Sequence, residues 1–402
     1  MSIWNLLRPA TTSPTLPTRS TVGSLCGRAG SGNRQSRSHR SLLWLVTCFA
    51  IVLQANLTTT CHAQRQQENR QQQTNQQQQR QQQQQQIRTG HANSSTERFK
   101  VSREGIVIND TSLPERLTGE LGFMVLETLC DIGSRTSGSE GMLLQQRILR
   151  DHFENLDATV YDQTFTVNDP ISHNPVTLNN LIVRWHPERE HRVLICCHYD
   201  TLPFPNRDKF NPRGLFVGAN DGASGVGLLC ELGRYIPGLE SEYGVDFVFF
   251  DGEEFVYERP RDALFLGSTY FATQYAANPP PVRYSAGVLV DMIGDRDLKL
   301  YHEKNSYKYA RETSRQIWKA AEDLEIKEFI PRTRYEIRDD HLPLNEIAKI
   351  PTVDIIDFDY PVGRENTYWH TEEDTPDKCS ADSLGKVGTV LLHWLKIIKV
   401  PR

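Results

Sequence analysis

The sequence predicts an α/β fold: a single domain in which a mixed, mostly parallel central sheet is flanked by helices on both faces. From about Phe99 onward, short β-rich runs alternate with amphipathic helical segments, which is typical of such sheets. The middle runs are almost continuously apolar, as expected of strands buried on both faces. Residues 98–402, roughly 300 in all, fit one domain.

Six apolar runs are the predicted strands: 159–167, 181–185, 193–197, 246–251, 286–292 and 352–356. Apolar residues at helical spacing predict three amphipathic helices, around residues 228–236, 310–324 and 384–398. Ser306 and either Ser380 or Asp382 occupy positions expected of helix N-caps.

The N-terminal part of the chain differs from the rest. Residues 1–41 contain six arginines and no acidic residue, and an apolar run from Leu42 to Leu53 follows. This pattern predicts a signal peptide over residues 1–63, cleaved after Ala63, and hence a secreted or periplasmic protein. An uncleaved N-terminal anchor is the alternative, and membrane contact is expected only if that alternative holds. Residues 64–97 are rich in Gln and predict a disordered tether before the catalytic domain at 98–402.

Charge and cysteine content argue against nucleic-acid binding, a disulfide framework and a thiolate zinc site. Removing residues 1–63 removes six arginines and changes the formal net charge from −5 to −11, which argues against a nucleic-acid partner. Five cysteines remain, so no disulfide framework is implied, and none is in a CxxC spacing of the kind that builds thiolate zinc sites.

Polar residues follow several of the predicted strands, at the edge where open α/β sheets bind ligands. They comprise His198, Asp221, the pair Glu253 and Glu254, Asp291, and His370. Each has a structural alternative, such as a helix cap, a buried core histidine or an acidic helix start. As a set, imidazoles and carboxylates suit a zinc ion that keeps an open position for Lewis-acid chemistry or water activation. The stretch GANDGASGVG lacks the glycine spacing of phosphate-binding loops and contains an acid that would repel phosphate.

From GSRTSGSEG to the C-terminal helix, the ordered motifs HYD, GANDGASGVG, FFDGEE, LVDMIG, DDHLP and WHT resemble the zinc aminopeptidases and the glutaminyl cyclases that share their fold. The resemblance implies a zinc-exopeptidase-like domain that acts on peptide or protein N-termini. It implies that Asp221, Glu254 and His370 bind zinc and that Glu253 is the general acid/base. His198 and Asp291 match the residues that hold a second zinc in the dinuclear peptidases.

Two features resemble the cyclase branch of the family. Asp339, the first residue of DDHLP, matches an acid that joins a proton-sharing network with the equivalents of Glu253 and Asp291, where peptidases usually have a small hydroxyl residue. Trp369 matches a tryptophan that walls the cyclase pocket; ordinary core packing is its alternative. GANDGASGVG and TLPFPNRDKF resemble bacterial rather than animal cyclases. A second pocket tryptophan of the animal enzymes is absent, and Phe255 or Tyr257 are the candidates to replace it.

The leading hypothesis is therefore a secreted glutaminyl-peptide cyclotransferase with one zinc ion, in which Glu253, Asp291 and Asp339 handle the proton. The alternative is an aminopeptidase with two zinc ions that uses His198 and Asp291 as extra ligands. A binding module without catalysis is a third hypothesis, from a different class.

Overall fold

The computed structural model describes residues 113–258, 261–361, 363 and 367–399. The predicted signal peptide and the Gln-rich segment lie outside these residues, as do residues 98–112 of the predicted domain. Within the described part of the chain, no helix is long and apolar enough to cross a membrane.

A six-stranded mixed sheet forms the centre of the fold. The strands of the described residues are β1 Thr159–Asn168, β2 Pro175–Trp185, β3 His191–His198, β4 Gly244–Phe250, β5 Arg283–Asp291, β6 Leu300–His302, β7 Phe329–Thr333 and β8 Thr352–Ile356. The central sheet has the order β1-β2-β4-β3-β5-β8. β1 pairs antiparallel with β2, and β2 pairs antiparallel with β4, whereas β4, β3, β5 and β8 are mutually parallel. β6 and β7 form a separate parallel pair.

Helices cover both faces of the sheet because the central strands are apolar on both sides. On β3, Ile195 and Cys197 belong to the larger core cluster, whereas Leu194 and Cys196 belong to the smaller one, following the two-residue period of a strand. The α-helices of the described residues are α1 Glu120–Ile132, α2 Glu140–Glu154, α3 Ala223–Gly233, α4 Leu266–Ala277, α5 Lys304–Tyr309, α6 Arg311–Asp323, α7 His341–Glu346 and α8 Ala381–Ile397. The larger core includes residues of α1, α2, α3, α6 and α8, and the smaller core includes residues of α4 and α7.

The predicted fold class is confirmed, and each of the six predicted strands corresponds to a strand of the central sheet. Of the predicted caps, Ser380 accepts a hydrogen bond from the backbone N–H of Ser383 at the start of α8. The prediction for Ser306 is wrong. Ser306 lies inside α5, whose N-cap is Glu303, and the following helix α6 begins after Ala310 without a side-chain cap.

Candidate active site

The parallel part of the sheet brings the first site residues together. His198 is the last residue of β3, Asp291 is the last residue of β5, and Glu253 and Glu254 follow the end of β4. β3 lies between β4 and β5, so the chain passes from β3 to β4 on one side of it and later to β5 on the other side. The carboxyl ends of these strands form the crevice in which open α/β sheets bind ligands.

Asp221 reaches the same crevice from the turn before α3. Gly222 has a φ of 98°, and a Cβ there would lie 3.1 Å from both the Asp200 carbonyl oxygen and His198 Cε1. Glycine is therefore required for this close approach, since other residues rarely adopt such a φ. The approach places the Asp221 carboxylate beside His198.

His370 comes from the loop after β8, in a left-handed conformation with a φ of 61°. The segment before α3 holds it there: Arg207 donates a backbone hydrogen bond to the His370 carbonyl at 3.1 Å, and the Asn206 side-chain oxygen lies 3.2 Å from His370 Nδ1. Unfavourable φ values persist where surrounding contacts fix them. Here the contacts direct His370 Nε2 toward the carboxylates.

Asp221 lies between the two imidazoles and presents one oxygen to each. His198 Nε2 is 3.2 Å from Asp221 Oδ1 and 3.2 Å from Asp291 Oδ1. His370 Nε2 is 3.5 Å from Asp221 Oδ2 and 3.0 Å from Glu254 Oε1. The structure thus brings all three residues of the predicted zinc site, and both candidates for a second metal, into one buried cluster.

The donor set fits a divalent cation. Ligand atoms from His198, Asp221 and Glu254 lie within 4.8 Å of one another, and His370 Nε2 adjoins two of these residues. Buried like charges repel one another unless protons or a cation compensate them. Imidazole nitrogens combined with carboxylate oxygens are ligands of catalytic zinc sites, whereas structural zinc sites consist mostly of thiolates.

Two further carboxylates fix the backbone next to the metal-site residues, and sequence reasoning gave them no role. Asp200 accepts hydrogen bonds from the backbone N–H groups of Glu253 at 3.1 Å and Glu254 at 2.9 Å. Asp374 accepts from the backbone N–H of Asp221 at 3.1 Å. Asp200 lies in the motif HYD and Asp374 lies three residues after the motif WHT, but their contacts depend on loops that periodicity does not describe.

A cavity of about 180 Å³ opens beside this cluster. Its lining includes Glu253, Asp339 and Trp369, together with four residues of the candidate metal cluster: Asp221, Glu254, Asp291 and His370. The Trp369 ring packs edge-on against Phe358 and lies under the guanidinium of Arg207. Both features that resemble the cyclase branch therefore face the same space as the metal-site carboxylates.

Burial shifts the titration of the acids around the cavity. It raises the pKa of Glu253 well above its usual range; His198 opposes the shift, and Asp339 adds to it. It raises the pKa of Asp291 to about 7 against the opposing effect of His198, and it also raises the pKa of Asp339. Because its pKa is near neutrality, Asp291 can both accept and donate a proton during turnover.

The candidates to replace the second tryptophan lie elsewhere. Phe255 is buried and packs against Tyr257, and the Tyr257 hydroxyl donates to Asp169 at 3.2 Å. Neither is among the residues that line the cavity. The suggestion that one of them substitutes for a pocket tryptophan is therefore not supported by their positions.

The family model described as peptidase family M28 matches residues 180–395. A glutaminyl-peptide cyclotransferase of Boiga irregularis is 26% identical over 302 residues, which cover 65% of this chain and 78% of the relative.

Two solved structures illustrate the range of similar proteins. The glutaminyl cyclase of Fimbriiglobus ruber has a TM-score of 0.66 and 39% identity, covering 70% of this chain and 95% of its own. A leucine aminopeptidase precursor of Bacteroides thetaiotaomicron has a TM-score of 0.65 and 28% identity, covering 72% of this chain and 99% of its own.

Proposed function

The chain belongs to peptidase family M28, and we propose that it is a zinc-dependent glutaminyl-peptide cyclotransferase, which converts an N-terminal Gln of peptides or proteins to pyroglutamate and releases ammonia. The observation that carries the proposal is that Glu253, Asp291 and Asp339 line the same cavity as Trp369. Similarity to a bacterial glutaminyl cyclase at 39% identity supports the same assignment.

Asp221, Glu254 and His370 would hold the zinc ion. When bound, zinc supplies a Lewis acid that polarises the side-chain amide carbonyl of the substrate Gln. The protein contributes the rest: it binds the N-terminal Gln of the substrate in the cavity against Trp369 and keeps the α-amine of that Gln close to its side-chain amide carbon.

Glu253 transfers the proton. The substrate amine forms a C–N bond to the amide carbon, gives one proton to the Glu253 carboxylate, and becomes the lactam nitrogen. The bond to the amide nitrogen breaks, and Glu253 returns that proton so that ammonia leaves. Asp291 and Asp339 orient Glu253 and share its proton, a role that fits their raised pKa values.

A specific observation favours a second candidate, an aminopeptidase with two zinc ions. Asp221 presents separate oxygens to His198 and His370, and His198 Nε2 also lies 3.2 Å from Asp291 Oδ1. A carboxylate between two such groups suits a bridged metal pair. In that enzyme Glu253 would activate water, and the product would be a free N-terminal amino acid.

One reaction separates the candidates. The purified protein is incubated with a Gln-initiated peptide and, in parallel, with a Leu-initiated peptide of otherwise identical sequence. The proposal expects ammonia release and a peptide mass reduced by one ammonia from the Gln peptide, with the Leu peptide intact. Release of free Gln or Leu instead would reject it. About one zinc per chain accompanies the first outcome, and about two accompany the second.

We further propose that the enzyme is secreted or periplasmic. The basic and apolar pattern of residues 1–63 supports this assignment. Expression of the full chain, followed by fractionation and N-terminal sequencing, tests it. A mature protein that begins at Gln64 outside the cytoplasm is expected, whereas an intact N-terminus in the cytoplasm would contradict it.

A further inference from the structure

The start of α5 holds one wall of the cavity through three hydrogen bonds. The backbone N–H of Lys304 donates to the Tyr335 carbonyl at 2.9 Å. Glu303 Oε1 accepts from the backbone N–H of Ile337 at 2.9 Å, and Asn305 Nδ2 donates to the Ile337 carbonyl at 2.9 Å. Residues 336–339 line the cavity. The backbone is thus fixed on both sides of Ile337, two residues before Asp339.

Glu303 has two tasks in this arrangement. As the N-cap of α5, it accepts from the backbone N–H groups of Asn305 at 2.9 Å and Ser306 at 2.6 Å. Shorter side chains such as Asp are the usual caps. The longer Glu303 side chain caps the helix and also accepts the hydrogen bond from the backbone N–H of Ile337, which a shorter capping side chain would not reach.

A buried imidazole connects Glu303 to the residues that follow Asp339. His341 Nε2 lies 3.4 Å from Glu303 Oε2, and His341 Nδ1 lies 3.7 Å from Asp354 Oδ2 on β8. All three side chains are buried. Ser306 completes the connection, because its hydroxyl donates to Glu303 at 2.8 Å and accepts from the backbone N–H of Asp354 at 2.9 Å.

The carboxylate form of Glu303 is the form that this arrangement requires. Burial raises its pKa, but His341 and the N–H groups of Asn305 and Ser306 outweigh burial and lower the pKa to about 2. An ionised carboxylate only accepts hydrogen bonds, and the backbone N–H groups and the Ser306 hydroxyl around Glu303 are donors. Glu303 therefore holds two segments, the start of α5 and the cavity wall, and lies beside His341 at the start of α7.

We propose that Glu303 is a positioning residue for the cyclisation, which acts through Ile337 to place the Asp339 carboxylate beside Glu253. The inference rests on the proposed function, since Asp339 has its proton-sharing role only there. Glu303 contacts no reacting atom. Its contribution is to keep the acid on the cavity wall within the distance that proton sharing requires.

The test compares Glu303→Asp and Glu303→Gln with a helix-cap control. Glu303→Asp keeps the charge and a good cap for α5 but is one methylene too short to hold Ile337. Glu303→Gln keeps the length but can accept on only one atom. Ser139→Ala removes the cap of α2, where Ser139 Oγ accepts from the Met142 N–H at 3.1 Å, away from the cavity wall.

Kinetics on the Gln peptide, thermal unfolding and zinc content are measured for each variant. We expect kcat to fall about 10- to 100-fold in both Glu303 variants, with KM and zinc content little changed. Ser139→Ala is expected to lower the unfolding temperature while keeping the wild-type kcat. If Glu303→Asp does not fold, Glu303→Gln is judged by the same criteria.

Three results would overturn the inference. The positioning role is rejected if a folded Glu303→Asp or Glu303→Gln enzyme has a kcat within about twofold of wild type. It is also rejected if the fall in kcat is proportional to the fall in unfolding temperature and the same relation holds in Ser139→Ala. Failure of the wild type to cyclise the peptide is a separate outcome, which rejects the proposed function and the inference together.

Discussion

Replacing Asp200 by Asn tests whether the backbone behind the metal site controls metal affinity. The buried carboxylate accepts from the backbone N–H of Glu253 with one oxygen and from that of Glu254 with the other. Asn has one acceptor, so one of these N–H groups would face an NH₂ donor. Loss of one buried hydrogen bond to a charged acceptor costs about 2 kcal/mol, equivalent to a fall of about 4–8 °C in Tm.

The functional effect should exceed the effect on stability, because Glu254 is a ligand candidate. Groups that orient metal ligands typically change affinity by about 10- to 100-fold. We expect Asp200→Asn to lose zinc to a chelator at a correspondingly lower concentration. Zinc competition, Tm and cyclisation rate are measured on the same preparation.

Thr389→Val is the matched control. Thr389 Oγ1 accepts from the buried backbone N–H of Leu117 at 2.8 Å, on α8 and away from the site, so its removal also leaves one N–H without its acceptor. A similar fall in Tm with wild-type zinc affinity is expected. If Asp200→Asn retains wild-type zinc affinity, or if Thr389→Val loses as much, the argument from backbone support is refuted.

Three other perturbations test the site. Glu253→Gln should lower kcat at least about 100-fold with zinc content unchanged, because the amide cannot carry the proton; the exposed Glu188→Gln serves as control, and unchanged turnover would disprove the catalytic role. Trp369→Ala should raise KM about tenfold, because the substrate loses its contact with the ring, whereas Trp318→Phe should leave KM unchanged. A wild-type KM in Trp369→Ala would show that Trp369 does not contact the substrate. Burial raises the pKa of Asp251 to about 8 and of Asp374 to about 7, above unfolded carboxylates near about 4. The folded state therefore binds more protons than the unfolded state, so the Tm of the metal-free protein should fall as pH rises from about 5 to 8. Zinc should raise Tm more at pH 8 than at pH 5. A Tm of the metal-free protein that rises over this interval would contradict the predicted sign.

The fold was predictable where burial determines the sequence pattern. β8 matches its predicted bounds because all five of its residues are buried. β2 begins six residues earlier than predicted, since Pro175 to Asn180 pair with β1 and include exposed residues. α4 was not predicted because its apolar residues do not form a single stripe, and the three-residue strand β6 is too short to give a pattern.

The metal cluster could be anticipated for a different reason. Strand ends of a parallel sheet share one edge, so His198, Asp291 and the Glu253–Glu254 pair were expected near one another before any distance was known. The supports were not predictable in the same way. Asn206 and Asp374 act through loop contacts, and Glu303 acts from a helix start more than thirty positions before Ile337. Such contacts depend on how loops pack, which local periodicity does not describe.

The charge of the site gives a reason why Asp339 bears on the reaction. Five buried acids lie around the cavity or in the candidate metal cluster: Asp221, Glu253, Glu254, Asp291 and Asp339. Two divalent cations would compensate most of their charge and leave little need for bound protons. One cation leaves a large excess of negative charge, which the buried site offsets by retaining protons on the acids. Both peptide hydrolysis and cyclisation must deliver a proton to the leaving nitrogen, but only hydrolysis also needs an activated water. With one cation bound, the additional acid on the wall beside Ile337 is a further group that can hold the shared proton, which is the arrangement that the cyclisation proposal requires.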